Sequence, residues 1–266
     1  VGTDPYTRAV SDVYQDLSGE GSYIGKGIYD PRAFHRVLKN RFPVQTILSH
    51  DLIEGAHLRV GFVSEIELFD EFPGDYFSYA KREHRWIRGD WQIADWCTPR
   101  VSSGDGKRVP NPLSVLNRWK IFDNLRRSVV PAASVVFLVT SWLISSRLGA
   151  VASLLVGLLA FFPLFAGLVT RVTSKRGAEP ASWRELAHNA MRCFAELLFM
   201  PHRAAVAIDA ILRVFYRRLV SHRKFLEWAT AQTVQQKVSG RLRPLLVQMG
   251  VISFLSFAAG IVIGWI

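Results

Sequence analysis

The run "LGAVASLLVGLLAFFPLFAGLVT" (148–170) contains no charged residue over 23 positions. About 20 apolar residues in a helix cross the hydrocarbon core of a bilayer, so this run predicts a membrane-spanning helix. Two further charge-free runs occur in the chain, 129–146 with 18 residues and 244–266 with 23. The sequence therefore predicts a membrane protein with about three transmembrane helices, two of them within 129–170.

The formal net charge of +11 is concentrated between the second and third predicted spans. Residues 1–128 contain 18 Lys or Arg against 17 Asp or Glu, whereas residues 171–243 contain 14 against 5. Basic loops remain on the cytoplasmic side of a membrane, so both regions are predicted to be cytoplasmic. Topology and anionic lipid headgroups account for the basic surplus, and no nucleic-acid partner is expected.

The segments beside the predicted spans have the pattern of helices that lie at the membrane surface. In 113–128, apolar residues recur at helical spacing among Arg118, Lys120, Arg126 and Arg127. Region 171–243 is predicted to form further amphipathic helices. There "SWRE" (182–185) is a capping box that opens one helix, and Pro201 is expected to begin the next. An ordinary soluble helical hairpin remains the alternative for this region.

Residues 1–112 have a mixed α/β pattern. Asp30 followed by Pro31 predicts the start of a helix. The alternation in "SEIELFD" (64–70) predicts a half-buried strand, and residues 75–97 are predicted to be helical. A further short strand is expected to end near Ser49, before a helix that ends at Arg59 and Gly61. The Gly, Pro and Ser content of 98–112 predicts a loop.

The stretch "SHDLIEG" (49–55) places an acid directly after this predicted strand. Ligand sites of α/β folds lie at the carboxyl ends of their strands, so Asp51 is a candidate general base. The alternative is that Asp51 is a structural acid near a helix start, favoured by the helix dipole.

The stretch "KREHRWIRGDW" (81–91) combines cations with two indole rings. In a helix Arg82, Arg85 and Trp86 share one face. Guanidinium groups bind a diphosphate through paired hydrogen bonds, and an indole face stacks on a sugar ring. A solvated basic helix face is the alternative, although it leaves the aromatic residues unexplained.

The segment "GEGSYIGKGIYD" (19–30) contains four glycines and two tyrosines. Such a composition is typical of backbone brought close to a ligand, but the segment lacks the spacing of a nucleotide-binding Walker loop. A plain turn between strands is the alternative.

The order of "GSYIGKG", "SHD" and Arg-x-x-Arg-Trp before transmembrane helices resembles that in membrane-embedded processive glycosyltransferases. These enzymes usually have Gln where this chain has Arg82. The longer stretches "GSYIGKGIYD", "ILSHDLIEG", "KREHRWIRGDWQ", "IFDNLRRS" and "LVSHRKFLEW" narrow the resemblance to cyclic β-1,2-glucan synthases.

This resemblance implies an inverting glucosyltransferase of the bacterial inner membrane. Such an enzyme transfers glucose from UDP-glucose to a growing β-1,2-glucan chain. The implied fold is part of a GT-A-like α/β domain (1–112), an interfacial helix (113–128), two spans (129–170), amphipathic helices (171–243) and a third span (244–266).

The resemblance also implies roles for individual residues. Asp51 is the implied general base. The residues implied to face the donor diphosphate are Arg82, Arg85 and Arg88. Those implied on the acceptor side are Trp86, Tyr23, Gly25, Lys26 and Gly27.

A divalent cation, Mg²⁺ or Mn²⁺, is also implied, with ligands expected upstream of residue 1. The chain is therefore expected to be a fragment that is inactive alone. Two alternatives remain open: a synthase of a linear, cellulose-like β-glucan, and a non-enzymatic membrane scaffold.

Overall fold

The chain divides into two units, which comprise 1–128 with 209–241 and 129–208 with 242–266. The structure is a computed structural model. It describes residues 9–23, 25, 27–48, 51–63, 65–66, 75–173 and 182–227. The predicted third span, 244–266, lies outside the described residues.

The described part of the first unit is mainly helical. Its elements are α1 (Ala9–Ser18), α2 (Pro31–Leu38), α3 (Asp51–Leu58), α4 (Tyr76–Gln92), a 3₁₀ turn (Ala94–Cys97) and strands β1 (Arg100–Ser102) and β2 (Arg108–Pro110). The predicted start of α2 is confirmed, because the Asp30 carboxylate accepts hydrogen bonds from the backbone N–H groups of Arg32 and Ala33. Asp75 caps α4 in the same way, accepting from the Ser78 N–H at 2.9 Å. Both caps supply acceptors for N–H groups that have no partner within the helix.

The α/β prediction is confirmed only in part. β1 and β2 form one antiparallel hairpin within 98–112, the segment predicted to be a loop. Residues 46–48 contain no strand, and residues 65–66 contain none either; the rest of 64–70 lies outside the described residues. At residue 48 the backbone is not part of a sheet, because the Leu48 N–H donates to the side chain of Gln92 and not to a neighbouring strand.

A small apolar core joins these elements. Its buried members are Ile47, Ile53, Ile93, Trp96, Val101, Leu113 and Ile121. They come from the segment before α3, α3 itself, the 3₁₀ turn with the residue before it, the hairpin, and the residues up to the first turns of α5 (Val115–Ile144). The core therefore fixes α3 relative to the segment that follows α4.

Two long helices match the first two predicted spans. α5 (Val115–Ile144) and α6 (Ser146–Thr173) are long and apolar enough to cross a membrane. The predicted interfacial segment and the first span form one continuous helix with Pro131 inside it, and the division between the two units at residue 128 falls within this helix. Pro131 has no backbone N–H to donate to the preceding turn of this helix, which continues through it.

The helix after the second span also continues through a proline. The predicted capping box is confirmed: the Ser182 N–H donates to Glu185 Oε2 at 2.7 Å and the Glu185 N–H to Ser182 Oγ at 3.2 Å. The helix that it opens, α7 (Trp183–Tyr216), contains Pro201, so the prediction of two helices separated there is wrong. Leu186 and Cys193 before the proline and Ala204 and Ala207 after it are all buried, and this packing supports the helix on both sides.

Candidate active site

The candidate base lies in the first turn of α3, against the glycine-rich segment. A Cβ atom at Gly25 would lie 2.9 Å from Asp51 Oδ2, closer than real Cβ contacts. Gly25 also has a φ of +85°, which L side chains rarely adopt. Both observations require glycine at position 25, because the backbone there lies directly against the carboxylate of Asp51.

Tyr23 joins the same group of residues through α3. A Cβ atom at Gly55 would lie 2.6 Å from Tyr23 Cβ, so the tyrosine packs onto the helix where it has no side chain. Burial raises the pKa of Tyr23, and the negative charges of Asp51 and Glu54 raise it further. The phenol is therefore a neutral hydrogen-bonding group beside two carboxylates.

Arg85 on α4 faces the same carboxylate. Burial and the positive charge of Arg82 lower the pKa of Arg85, whereas the charge of Asp51 raises it. Arg82 lies with its guanidinium carbon 4.5 Å from the centre of the Trp86 ring, a cation–π contact. Arg82 and Trp86 are thus in contact on α4, as their helical spacing predicted, and the charge of Asp51 acts on Arg85 of the same helix.

The other predicted site residues are Gly27, Lys26 and Arg88. Gly27 lies in ordinary contact with Tyr23, since its Cβ atom would be 3.5 Å from Tyr23 Cε2. Lys26 lies outside the described residues. Arg88 is buried and donates from Nη2 to the carbonyl of Glu227 at 2.8 Å. Burial and the charge of Arg217 lower the pKa of Arg88, and the charge of Glu227 opposes this. The structure thus groups Arg88 with residues after α7.

No family model matches the chain. The chain is 38% identical over 250 residues, 91% of its length, to "Cyclic beta-(1,2)-glucan synthase NdvB" of Rhizobium meliloti (strain 1021). The resemblance to a cyclic β-1,2-glucan synthase is therefore confirmed. The chain spans 8% of the length of that relative, so it corresponds to one segment of such a synthase.

Two residues that contribute to the candidate site were missed in the sequence. Glu54, one helical turn after Asp51, adds a second negative charge near Tyr23; its i, i+3 spacing from Asp51 was a usable signal. Lys120 was grouped with the basic residues at the membrane surface but is 1% exposed. Its ammonium group donates to the carbonyl of Gly21 at 2.9 Å and lies 4.7 Å from the centre of the Tyr14 ring. That carbonyl lies 99 residues away along the chain, and no local pattern predicts such a contact.

Lys120 matters for the site because it anchors the start of the glycine-rich segment. The Gly21 N–H donates to the carbonyl of Val60 at 2.7 Å, so Gly21 is fixed through both of its backbone groups. Tyr23 and Gly25 follow within four residues. Their positions against α3 therefore depend on a buried cation of α5.

The arrangement can support proton removal beside an anion-binding group. A carboxylate at a helix start can accept a proton, and the half-buried guanidinium groups can stabilise an oxyanion nearby. Among the described residues, no three His, Cys, Asp or Glu side chains come close enough to hold a metal ion. The described residues thus do not fit a divalent cation, and no chemical step here is assigned to one.

Proposed function

We propose that the chain is the acceptor-side part of an inverting, processive glucosyltransferase that extends a β-1,2-glucan from UDP-glucose. The observation that supports this most directly is the carboxylate of Asp51, which lies against Gly25 and whose charge raises the pKa of the half-buried Arg85 guanidinium. The similarity to a cyclic glucan synthase supports the product class. The UDP-glucose donor and the inversion are our inference from that class.

In the proposed reaction the C2 hydroxyl of the acceptor sugar attacks C1 of the donor glucose. Asp51 takes the hydroxyl proton as the new C1–O bond forms. The bond between C1 and the diphosphate oxygen breaks, and its electron pair leaves on UDP. One such displacement converts an α-linked donor into a β-linked product.

The remaining residues have positioning and electrostatic roles in this proposal. Arg85, with Arg82 beside it, stabilises the departing diphosphate through guanidinium hydrogen bonds. Trp86 offers its indole to the acceptor sugar, and Tyr23, Gly25 and Gly27 bring backbone and a phenol to the same region. Lys26 belongs to this acceptor segment by its place in the sequence, and Arg88 is proposed to act only through the residues that it holds.

The proposal extends to the surroundings of the site. We infer that residues 1–112 belong to a GT-A-like domain, and that α5 and α6 cross the bacterial inner membrane with 1–128 and 171–243 on the cytoplasmic side. The two helices have mostly exposed apolar side chains, which suits a lipid environment. The divalent cation would be held by residues other than those described here.

The decisive experiment measures incorporation of labelled glucose from UDP-glucose in membranes that contain the full-length protein. Asp51→Asn keeps the size and polarity of the side chain but removes the base. We expect incorporation to fall by about 10²–10⁴-fold, the usual contribution of general-base catalysis, while protein level and UDP binding are kept. Normal incorporation by this variant would contradict the role of Asp51, and a wild-type protein without incorporation would favour a scaffold. A product with a free reducing end would indicate linear chains in place of rings.

A further inference from the structure

A short π-helical turn (Arg217–Ser221) follows α7. The segment after that turn, 222–227, is held by its backbone carbonyls. Gln92 Nε2 donates to the carbonyl of Phe225 at 3.0 Å, and Arg88 Nη2 donates to that of Glu227 at 2.8 Å. Arg217 Nη1 donates to the carbonyl of Lys224 at 2.6 Å. All three donors are buried, with at most 9% of each residue exposed. Three carbonyls thus bind the segment through its main chain, and the Glu227 carboxylate adds an ion pair with Arg217 at 2.6 Å.

Gln92 uses the other end of its amide for a second segment. Its Oε1 accepts the Leu48 N–H at 2.6 Å, and Leu48 lies three residues before Asp51. The two bonds join positions separated from Gln92 by 44 and 133 residues. One buried side chain at the end of α4 therefore connects Leu48, three residues before the candidate base, with the segment 222–227.

A glutamine suits this position because both of its amide atoms are satisfied. A buried donor or acceptor that loses its partner is destabilising, so both bonds of Gln92 are favoured in the folded state. The same helix also carries Arg85 and Trp86, both about two helical turns before Gln92. Helix α4 therefore fixes the position of Gln92 relative to Arg85 and Trp86 of the candidate site.

We propose that Gln92 is a positioning residue, which fixes Leu48, three residues before Asp51, and at the same time holds the backbone of 222–227. The proposal rests on the glucosyl transfer proposed above. Gln92 does not touch the reacting atoms; it acts through Leu48 on the placement of Asp51, and through Phe225 on the segment.

Two substitutions separate the two bonds. Gln92→Glu keeps an oxygen for the Leu48 N–H but has no N–H for the carbonyl of Phe225. Gln92→Met removes both bonds at similar volume. Gln45→Glu makes the same chemical change at an exposed residue and serves as the matched control. All are compared in membranes that contain the full-length protein, at equal protein level.

The first readout is trypsin cleavage after Lys224, an exposed residue whose carbonyl is held by Arg217. The second is the kinetics of glucose incorporation. We expect both Gln92 variants to be cut several-fold faster there than wild type. We also expect about a tenfold lower kcat, the effect of losing roughly 1.4 kcal/mol of positioning, with the KM for UDP-glucose within about twofold because donor binding groups are untouched. Gln45→Glu should match wild type in both.

Other outcomes overturn the proposal. Faster cleavage of Gln92→Glu with unchanged kcat would show that the segment does not position the base. Unchanged cleavage in both variants would show that Gln92 does not hold the segment. If wild type incorporates no glucose, the proposed function fails and the positioning role fails with it. The trypsin comparison still decides whether Gln92 holds the backbone of 222–227.

Discussion

Helices α4 and α6 are built in opposite ways. α4 (Tyr76–Gln92) buries polar side chains, among them Ser78, Arg88 and Gln92. α6 (Ser146–Thr173) exposes large apolar ones, and Leu159 is 75% exposed. An ordinary surface helix would show the reverse of both patterns.

The contrast indicates what surrounds each helix. Buried polar groups on α4 are costly unless they are bonded, and here they bind segments distant in the chain. Exposed leucines and phenylalanines along a 28-residue helix are unfavourable in water but favourable in lipid. α4 is therefore a scaffold for a site, and α6 is suited to an apolar solvent.

The largest effect expected from this comparison concerns α6. Leu159→Arg should cost about 2.5–3.5 kcal/mol of membrane insertion if the middle of α6 lies in hydrocarbon. The fraction of protein that resists alkaline extraction from membranes measures this cost. Leu17→Arg changes an equally apolar residue of α1 that is 82% exposed, and it should stay within about 0.5 kcal/mol of wild type. Equal behaviour of the two variants would mean that α6 does not lie in lipid.

The second-largest effect is expected from a substitution of Arg85 on α4. Arg85→Lys keeps the charge but loses the planar fork that binds a diphosphate. We expect kcat/KM for glucose incorporation to fall by about 10–100-fold, corresponding to roughly 1.5–3 kcal/mol for a hydrogen bond to a charged group. Lys81→Arg, at an exposed position of the same helix, should have no effect. Wild-type turnover by Arg85→Lys would remove Arg85 from the site.

The two tryptophans of α4 allow a finer test. Trp86→Ala should remove stacking worth about 1–3 kcal/mol, by analogy with stacking on aromatic side chains. Chain elongation should therefore slow, while UDP binding stays nearly intact. Trp91 donates to Ser128 Oγ at 2.9 Å and packs against Phe215. Trp91→Phe should therefore reduce thermal stability and leave elongation unchanged. A large loss of UDP affinity in Trp86→Ala would assign that residue to the donor.

The sequence predicted the parts of this comparison that depend on local patterns. The charge-free run of α6, the capping residues Asp30 and Ser182 and the shared face of Arg82, Arg85 and Trp86 all follow from spacing within a few residues. Pro201 was misinterpreted because packing on both sides of it outweighs the local rule. The contacts of Gln92 and Lys120 join residues 44 to 133 positions apart, so only the folded chain reveals them.

The smallest effect, a pH dependence, tests whether the polar groups of α4 are buried in solution. Burial raises the pKa of Asp90 from 3.8 to about 7, and a hydrogen bond from Asn124 opposes this rise. The folded state then holds this proton more tightly than the unfolded chain, so the Asp90 contribution to stability declines as the pH rises from about 4 to about 7.

Asp90→Asn keeps an oxygen for Asn124 but does not titrate, so its stability should exceed that of wild type more at pH 8 than at pH 5. Melting temperatures of the detergent-solubilised protein at both pH values measure the difference. Asp105 is exposed and its pKa is lowered by a hydrogen bond from Ser103, so Asp105→Asn should leave the profile between pH 5 and 8 unchanged. If Asp90→Asn also leaves it unchanged, the end of α4 is open to water in solution, and the contrast with α6 would rest on Arg88 and Gln92 alone.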